Sequence, residues 1–131
     1  MPAAPLRVAV IDIGSNSTRL LVADVEDGCV APIERRSTVT RLGRGVDLSG
    51  RLAAEAIEAT CGAIDPYVAT LQEMGAERVD AIATSAVRDA ANGSAFVAEL
   101  RERFALSARV LDGTEEARLT YLGATSEHFP E

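Results

Sequence analysis

Residues 7–24 read RVAVIDIGSNSTRLLVAD, and this stretch decides how the chain folds. Residues 7–13 and 18–24 are two nearly unbroken apolar runs, and the Gly-Ser-Asn-Ser sequence at 14–17 is typical of a turn. The pattern predicts a β-hairpin whose first strand is central in a sheet and buried on both faces. A strand at 29–36 would then complete three antiparallel strands in meander order.

The rest of the chain predicts helices alternating with strands. Apolar residues between Ile57 and Leu71 recur at steps of three and four, which indicates one face of a long helix. Pro66 falls inside this pattern, and we expect it to bend the helix without breaking it, because the carbonyl that it would crowd belongs to Gly62. The predicted elements are a loop at 42–50, a helix at 52–74, a strand at 78–83, a loop with room for a helical turn at 84–89, a helix at 93–104, a strand at 108–111 and a helix at 114–125.

The resulting order, βββαβαβα, predicts a single α/β domain over residues 1–131. A right-handed crossover from the third strand lays the fourth strand beside the first, which gives a mixed five-stranded sheet in the order 3-2-1-4-5. This arrangement is the ribonuclease-H-like fold that actin-like ATPases and sugar kinases share.

Composition narrows the classes of partner. The apolar content of 47% with only 4% aromatic residues predicts one aliphatic core, and the net charge of −7 argues against a nucleic-acid or anionic-membrane binder. All 13 cationic residues are Arg, whose planar forks suit phosphate oxygens, although this bias could equally reflect genome composition. No apolar segment is long enough to span a membrane and no export signal precedes the first strand, so we expect a cytoplasmic protein. Cys29 and Cys61 form no CxxC pair and are predicted to be buried, reduced thiols.

Three segments follow the first, fourth and fifth strands, where ligands of open α/β sheets gather: 12–17, 84–88 and 112–116. Asp12 closes a buried strand, which is costly unless the carboxylate meets hydrogen bonds or a hydrated cation. The turn at 14–17 offers hydroxyls and amides that could grip a phosphate. The alternative is an ordinary hairpin turn with no ligand.

The second and third segments also carry polar chemistry. Thr84, Ser85 and Arg88 form a second potential phosphate contact, although Arg88 could instead pair with Asp89 or cover apolar surface. The acids of the third segment lie in the first turn of a predicted helix, where they also favour the helix dipole. The only histidine lies close to the chain end, so a carboxylate would have to activate water if hydrolysis occurs here.

Four motifs in this order resemble the exopolyphosphatase/guanosine pentaphosphate phosphohydrolase family. They are VIDIGSNSTRLLVA at 10–23, TRLGRGVD at 40–47, ATSAVRDAANG at 83–93 and DGTEEARLTYLGA at 112–124. Together they cover nearly the whole chain. Asp112 stands where the family often has Ser, which places an extra negative charge near the anion site.

The resemblance implies a role for each matching residue. Glu116 would be the catalytic carboxylate, Asp12 would lie close to a magnesium ion, and Arg41 and Arg44 would guide a polyanion. Arg88 and the loop of Ser15, Asn16 and Ser17 would hold phosphate. The residue types at Gly14, Thr84 and Ser85 add these three to the candidate phosphate contacts.

The implied activity is Mg²⁺-dependent exohydrolysis of inorganic polyphosphate, or removal of the 5′-terminal phosphate of guanosine pentaphosphate. An actin-like kinase and a non-catalytic phosphate-chain or alarmone sensor are the alternatives from other classes. The resemblance also implies that the chain is domain I of a two-domain actin-like phosphatase. We therefore expect little hydrolysis by residues 1–131 alone, and a homodimer of the full-length protein stays open.

Overall fold

A computed structural model describes residues 5–111 of the chain, except for the side chain of Ser85. The helix predicted at 114–125, together with Asp112 and Glu116, lies outside the described residues. The elements are β1 (Leu6–Ile13), β2 (Ser17–Glu26), β3 (Cys29–Val39), α1 (Val46–Ser49), α2 (Ala54–Glu73), β4 (Arg78–Ala83), α3 (Ser85–Asp89), α4 (Gly93–Phe104) and β5 (Ala108–Val110).

The five strands form one mixed sheet in the order β3-β2-β1-β4-β5, which confirms the predicted topology. β1 is central: it pairs antiparallel with β2, where Ile13 lies opposite Thr18, and parallel with β4, where Ile13 lies beside Ala83. β4 pairs parallel with β5. The carboxyl ends of β1, β4 and β5 therefore meet at the same edge of the sheet.

The core lies between one face of the sheet and the helices. Alternate residues of β1, from Ala9 to Ile13, are fully buried, and α2 packs against β1 and β2. The helical stripe predicted from the sequence is confirmed, because Cys61, Ile64 and Leu71 are buried in the same cluster. The prediction that β1 is buried on both faces is wrong, because the residues on its other face are only partly buried.

The helix α2 continues through Pro66, as predicted. The residue four positions before Pro66 is Gly62, which is exposed and has open space around its Cα. A proline lacks the N–H that would bond to the Gly62 carbonyl, so α2 passes Pro66 with that one bond missing. The helix therefore continues past the proline.

Most element ends lie within two residues of the predictions, and two segments differ more. β3 extends to Val39 instead of ending at 36, because β2 supplies ladder partners as far as the pair of Ser17 with Val39. The segment predicted as the loop 42–50 contains the short helix α1, which is flanked by Gly45 and Gly50 in left-handed conformations. These glycines begin and end a helical turn, whereas the sequence suggested only a loop.

No helix within residues 5–111 is both long enough and apolar enough to cross a membrane.

The prediction that both cysteines are buried is wrong for Cys29. Cys61 is fully buried, whereas Cys29 is exposed at the start of β3, which is the outer strand in the sheet order. Burial, and then the nearby carboxylate of Glu99, raise the pKa of the Cys61 thiol. Its sulfur lies 3.7 Å from Glu99 Oε2.

This difference predicts that the two thiols react at different rates. At about pH 8 the folded protein should react rapidly with a disulfide reagent at Cys29, because a raised pKa leaves Cys61 with less thiolate and burial denies access to it. Cys61 should react only after unfolding in guanidinium. Rapid labelling in a C29S variant would contradict the described burial of Cys61.

Candidate phosphate site

The edge of the sheet where β1, β4 and β5 end is tied together by backbone hydrogen bonds. The carbonyl of Ile13 accepts from the amide of Thr84 at 3.2 Å and from its hydroxyl at 3.3 Å. The amide of Leu111 donates to the carbonyl of Ala83 at 2.9 Å. Three of the chain's polar segments therefore begin from one fixed edge.

The turn at 14–17 is closed by a bond from the amide of Gly14 to the carbonyl of Ser17, at 2.9 Å. A Cβ at position 14 would lie 2.9 Å from that carbonyl oxygen, closer than side chains approach, so this position requires glycine. Ser15 and Asn16 are exposed, and Ser17 is half-buried at the start of β2. The exposed part of the turn thus faces away from the core.

A second loop, residues 40–45, is docked on this turn, and we call it the strap. The amides of Thr40 and Arg41 both donate to the carbonyl of Asn16, at 3.1 and 3.0 Å, and the amide of Gly43 donates to the carbonyl of Ser15 at 2.9 Å. Arg41 has a left-handed backbone with φ 52°, which is uncommon for a residue with a side chain. The strap places the exposed Arg41 close to the 14–17 turn, although the two segments are distant in sequence.

Below the turn, hydrogen-bonded hydroxyls join β2, β3, the strap and α2, and all of them except that of the exposed Thr38 belong to buried residues. The hydroxyls of Thr18 and Thr40 are 2.9 Å apart, and the hydroxyl of Tyr67 donates to the carbonyl of Thr18 at 3.1 Å. The hydroxyl of Thr38 lies 2.6 Å from that of Tyr67. Because the Tyr67 proton is directed at a carbonyl, Thr38 is the donor of this last bond.

Asp12 is partly buried near the end of β1, on the sheet face opposite to Ile11 and Ile13. Its cross-strand neighbour in β2 is Arg19, and Ile82 lies beside it in β4. No group of three or more metal-ligating side chains occurs in the described part of the chain. Mg²⁺ usually needs only one or two protein carboxylates and takes its other ligands from water and substrate phosphates, so a single carboxylate such as that of Asp12 is compatible with a magnesium site, and this role of Asp12 stays a prediction.

Arg88 lies in the last turn of α3, and its side chain is 36% exposed. Its Nη1 donates to the carbonyl of Leu111 at 3.0 Å, and its Nε lies 3.3 Å from Oδ1 of Asp89. The pairing with Asp89 that the sequence left as an alternative is therefore present. A guanidinium has five N–H donors, so these two bonds orient the group and still leave donors for an anion.

The structure brings some predicted site residues together and leaves others apart. The strap joins Arg41 to the 14–17 turn, and Thr84 joins the start of α3 to Ile13, the residue that precedes the turn. Within residues 5–111 the guanidinium of Arg88 bonds to Leu111 and Asp89 and not to the turn. The single proton of the Thr84 hydroxyl is directed at Ile13, so its role as a phosphate contact stays a prediction.

Sequence reasoning missed the supporting residues of this site, namely Thr18, Thr38, Thr40, Gly43 and Tyr67. One signal was present: Tyr67 follows Ile64 by three residues on the apolar stripe and carries a polar atom that needs a buried partner. The strap's docking on the turn joins segments that are distant in sequence, and a short periodic pattern cannot reveal such a contact.

The opposite edge of the sheet holds a different charged feature. A pocket of about 270 Å³ is lined by Pro5, Arg7, Asp24, Gly75 and Glu77. Nε and Nη2 of Arg7 bind the two carboxylate oxygens of Asp24, at 2.9 and 3.1 Å, and this guanidinium lowers the pKa of Asp24. Two acids beside one paired arginine would repel a phosphate chain, so this pocket is a poor anion site.

Comparison with known proteins identifies the family. The model of the Ppx/GppA phosphatase family matches residues 21–131. The chain belongs to this family. It is 42% identical over 130 residues to Exopolyphosphatase 2 of Mycobacterium tuberculosis, covering 92% of this chain and 41% of that protein. It is also 32% identical over 118 residues to Exopolyphosphatase 1 of the same species, covering 89% of this chain and 34% of the relative.

Solved structures of the family have the same fold. A Ppx/GppA family member from Aquifex aeolicus superposes with a TM-score of 0.85 at 37% identity, covering 97% of this chain and 42% of its own. An exopolyphosphatase from Cytophaga hutchinsonii gives a TM-score of 0.81 at 27% identity, covering 86% of this chain and 36% of its own. These matches confirm the predicted actin-like, ribonuclease-H-like fold. The chain spans about two fifths of the length of the relatives named first in each comparison.

The hydrogen bond from Tyr67 to the backbone of Thr18 predicts a loss of stability when the Tyr67 hydroxyl is removed. Tyr67 is 3% exposed, so Y67F leaves the carbonyl of Thr18 without this donor and should lower the free energy of unfolding by about 1–2 kcal/mol. T38V should cost less, because Thr38 is exposed and the Tyr67 bond to Thr18 survives. Urea unfolding of both variants measures the difference, and equal losses would contradict the described geometry.

Proposed function

We propose that this chain forms the phosphate-binding half of an exopolyphosphatase that removes terminal phosphates from inorganic polyphosphate. The observation that carries the proposal is the docked pair of turn and strap at the strand ends, in a family whose curated relatives are exopolyphosphatases. The turn carries exposed donors, and the strap adds two exposed arginines beside it. Such an arrangement suits an extended chain of phosphates better than a single neutral ligand.

Charge distribution supports a polyanionic substrate at this edge. The protein carries a net charge of −7, so a polyanion is repelled by most of its surface and needs a local cluster of cations. Arg41, Arg44 and Arg88 all belong to the segments at the carboxyl ends of the strands and are exposed. Guanidinium groups bind phosphate oxygens in pairs of parallel hydrogen bonds, which also fixes the orientation of the chain.

In the proposed reaction the chain's own residues bind phosphate and activate water. The 14–17 turn and Arg88 hold the terminal phosphate. Glu116 accepts a proton from the water that attacks the phosphorus of this phosphate. The bond to the bridging oxygen breaks, and the shortened polyphosphate leaves with that oxygen. Mg²⁺, held by Asp12 and phosphate oxygens, would neutralise negative charge on the phosphates.

Guanosine pentaphosphate is the second candidate substrate, and the described residues favour polyphosphate over it. Neither the 14–17 turn nor the strap contains an aromatic side chain on which a guanine ring could stack.

A cytoplasmic location and a homodimer stay predictions, as does the inactivity of residues 1–131 alone.

The experiment that tests the proposal measures phosphate release from polyphosphate and from guanosine pentaphosphate by the complete protein. E116Q should lower kcat by about 10²- to 10⁴-fold with little loss of binding, because it removes a proton acceptor and keeps the shape. R88K should weaken tripolyphosphate binding about 10-fold, since a lysine loses the planar fork. R101K on α4, whose arginine is also exposed, is the matched control and should behave like wild type.

Full turnover by E116Q would contradict the assignment of Glu116. Release of phosphate from guanosine pentaphosphate alone would replace the proposed substrate with the second one, and phosphorylation of a small molecule by ATP would replace hydrolysis with kinase chemistry. Binding of tripolyphosphate without turnover in the complete protein would favour a sensor.

The proposed metal role predicts a specific defect in D12N. The complete protein should lose activity when Mg²⁺ is removed by a chelator, and D12N should need about 10-fold more Mg²⁺ for half-maximal rate, because it loses one anionic ligand. The rise in unfolding temperature that Mg²⁺ and tripolyphosphate together produce should shrink in parallel. D80N changes an exposed acid of β4 and is the control. An unchanged Mg²⁺ requirement in D12N would refute the role of Asp12.

A further inference from the structure

Position 43 of the strap favours glycine, because a side chain there would crowd Ser15. A Cβ built on Gly43 would lie 3.0 Å from Cβ of Ser15 and 3.4 Å from its carbonyl and hydroxyl oxygens, which is tighter than most side-chain contacts. Gly43 is not among the glycines with positive φ, so its backbone conformation is open to other residues. Gly45 and Gly50 are the reverse case: they have positive φ and nothing within 4 Å of a built Cβ.

The close approach at Gly43 allows the strap to bind the carbonyl side of the turn. Gly43 donates to the carbonyl of Ser15, while Thr40 and Arg41 donate to the carbonyl of Asn16. In a trans peptide the N–H points opposite to the C=O of the same peptide unit. The bonds on these two carbonyls therefore turn the N–H groups of Asn16 and Ser17 away from the strap.

These two N–H groups are the donors that a phosphate would meet. No backbone carbonyl within the described residues accepts from the amide of Asn16, and Asn16 as a whole residue is exposed. Successive backbone N–H groups that point to one side form a concave site for anions. The strap thus adds to the Gly14–Ser17 bond a second constraint on the direction of these donors.

We propose that Gly43 is a positioning residue of the phosphate site, because the absence of a side chain lets the strap orient the amides of Asn16 and Ser17 toward a bound phosphate. This inference rests on the proposed function, since it assumes that the 14–17 turn binds phosphate. Gly43 itself makes no contact with substrate in this arrangement. Its effect passes through the backbone of Ser15 and Asn16.

The test compares G43A with G62A in the complete protein. Gly62 is exposed in α2, and a built Cβ meets nothing within 4 Å, so the same substitution there should be harmless. G43A should raise the Kd for tripolyphosphate about 10-fold and raise KM more than it lowers kcat, because the donors are misdirected while the catalytic carboxylate is untouched. G62A should match wild type.

A double-mutant cycle separates this contact from general destabilisation. S15G alone should weaken binding through loss of the hydroxyl, but it also removes the Cβ that a methyl group at position 43 would meet. S15G/G43A should therefore bind no more weakly than S15G, whereas S15A/G43A, which keeps that Cβ, should show the full additional loss. Equal additional losses in both double variants would refute the contact between positions 15 and 43.

Amide hydrogen exchange gives a readout that does not depend on phosphate. The amides of Arg41 and Gly43 should lose protection in G43A, keep it in G62A and regain it in S15G/G43A. If G43A does not fold, the protection of these amides is compared between S15G/G43A and S15G instead. A wild-type protein that binds no tripolyphosphate refutes the proposed function, whereas a wild type that binds and a G43A variant that binds equally well refute only the role of Gly43.

Discussion

The carbonyl of Ile13, at the end of the central strand, is the point on which the site depends. It accepts from both the amide and the hydroxyl of Thr84, and this pair of bonds fixes the end of β4 against the end of β1. Ile13 itself is fully buried, so the position of this carbonyl is set by core packing. The hairpin turn and the helix that carries Arg88 therefore both begin at the hydrogen-bonded junction of Ile13 with Thr84.

Hydrogen bonds extend this constraint outward to the proposed phosphate donors. The helix α2 reaches the base of the turn through Tyr67, whose hydroxyl donates to the backbone beside Ser17. The strap then binds the turn from its outer side through the carbonyls of Ser15 and Asn16. The proposed phosphate donors are thus backbone groups held from two sides, which limits the entropy lost on binding.

The sequence predicted the parts of this protein that depend on local pattern. The apolar stripe of α2 and the strand order follow from periodicity and from the handedness of crossovers, and both are confirmed. The end of β3 at Val39 could not be predicted, because the length of an outer strand depends on how far its neighbour offers partners. Exposure of Cys29 has the same origin, since the apolar residues around it lie on an outer strand.

The candidate site was predictable in composition but not in assembly. Family-like motifs singled out the 14–17 turn and Arg88, whereas the bonds of the strap to the turn join residues whose proximity only the folded chain creates. Arg88 illustrates the limit well: its pairing with Asp89 was foreseeable from adjacency, but its bond to the carbonyl of Leu111 was not. Such long-range backbone contacts decide where donors point.

Amide chemical shifts of the isotope-labelled complete protein, followed during titration with tripolyphosphate, would locate the proposed phosphate chain on the molecule. Binding at the strand ends, against backbone donors that the strap orients, should give saturable shifts of Asn16, Ser17 and Arg41 and leave the amides around Arg7 at the opposite edge unchanged. Shifts confined to that opposite edge, or none at the 14–17 turn, would contradict it.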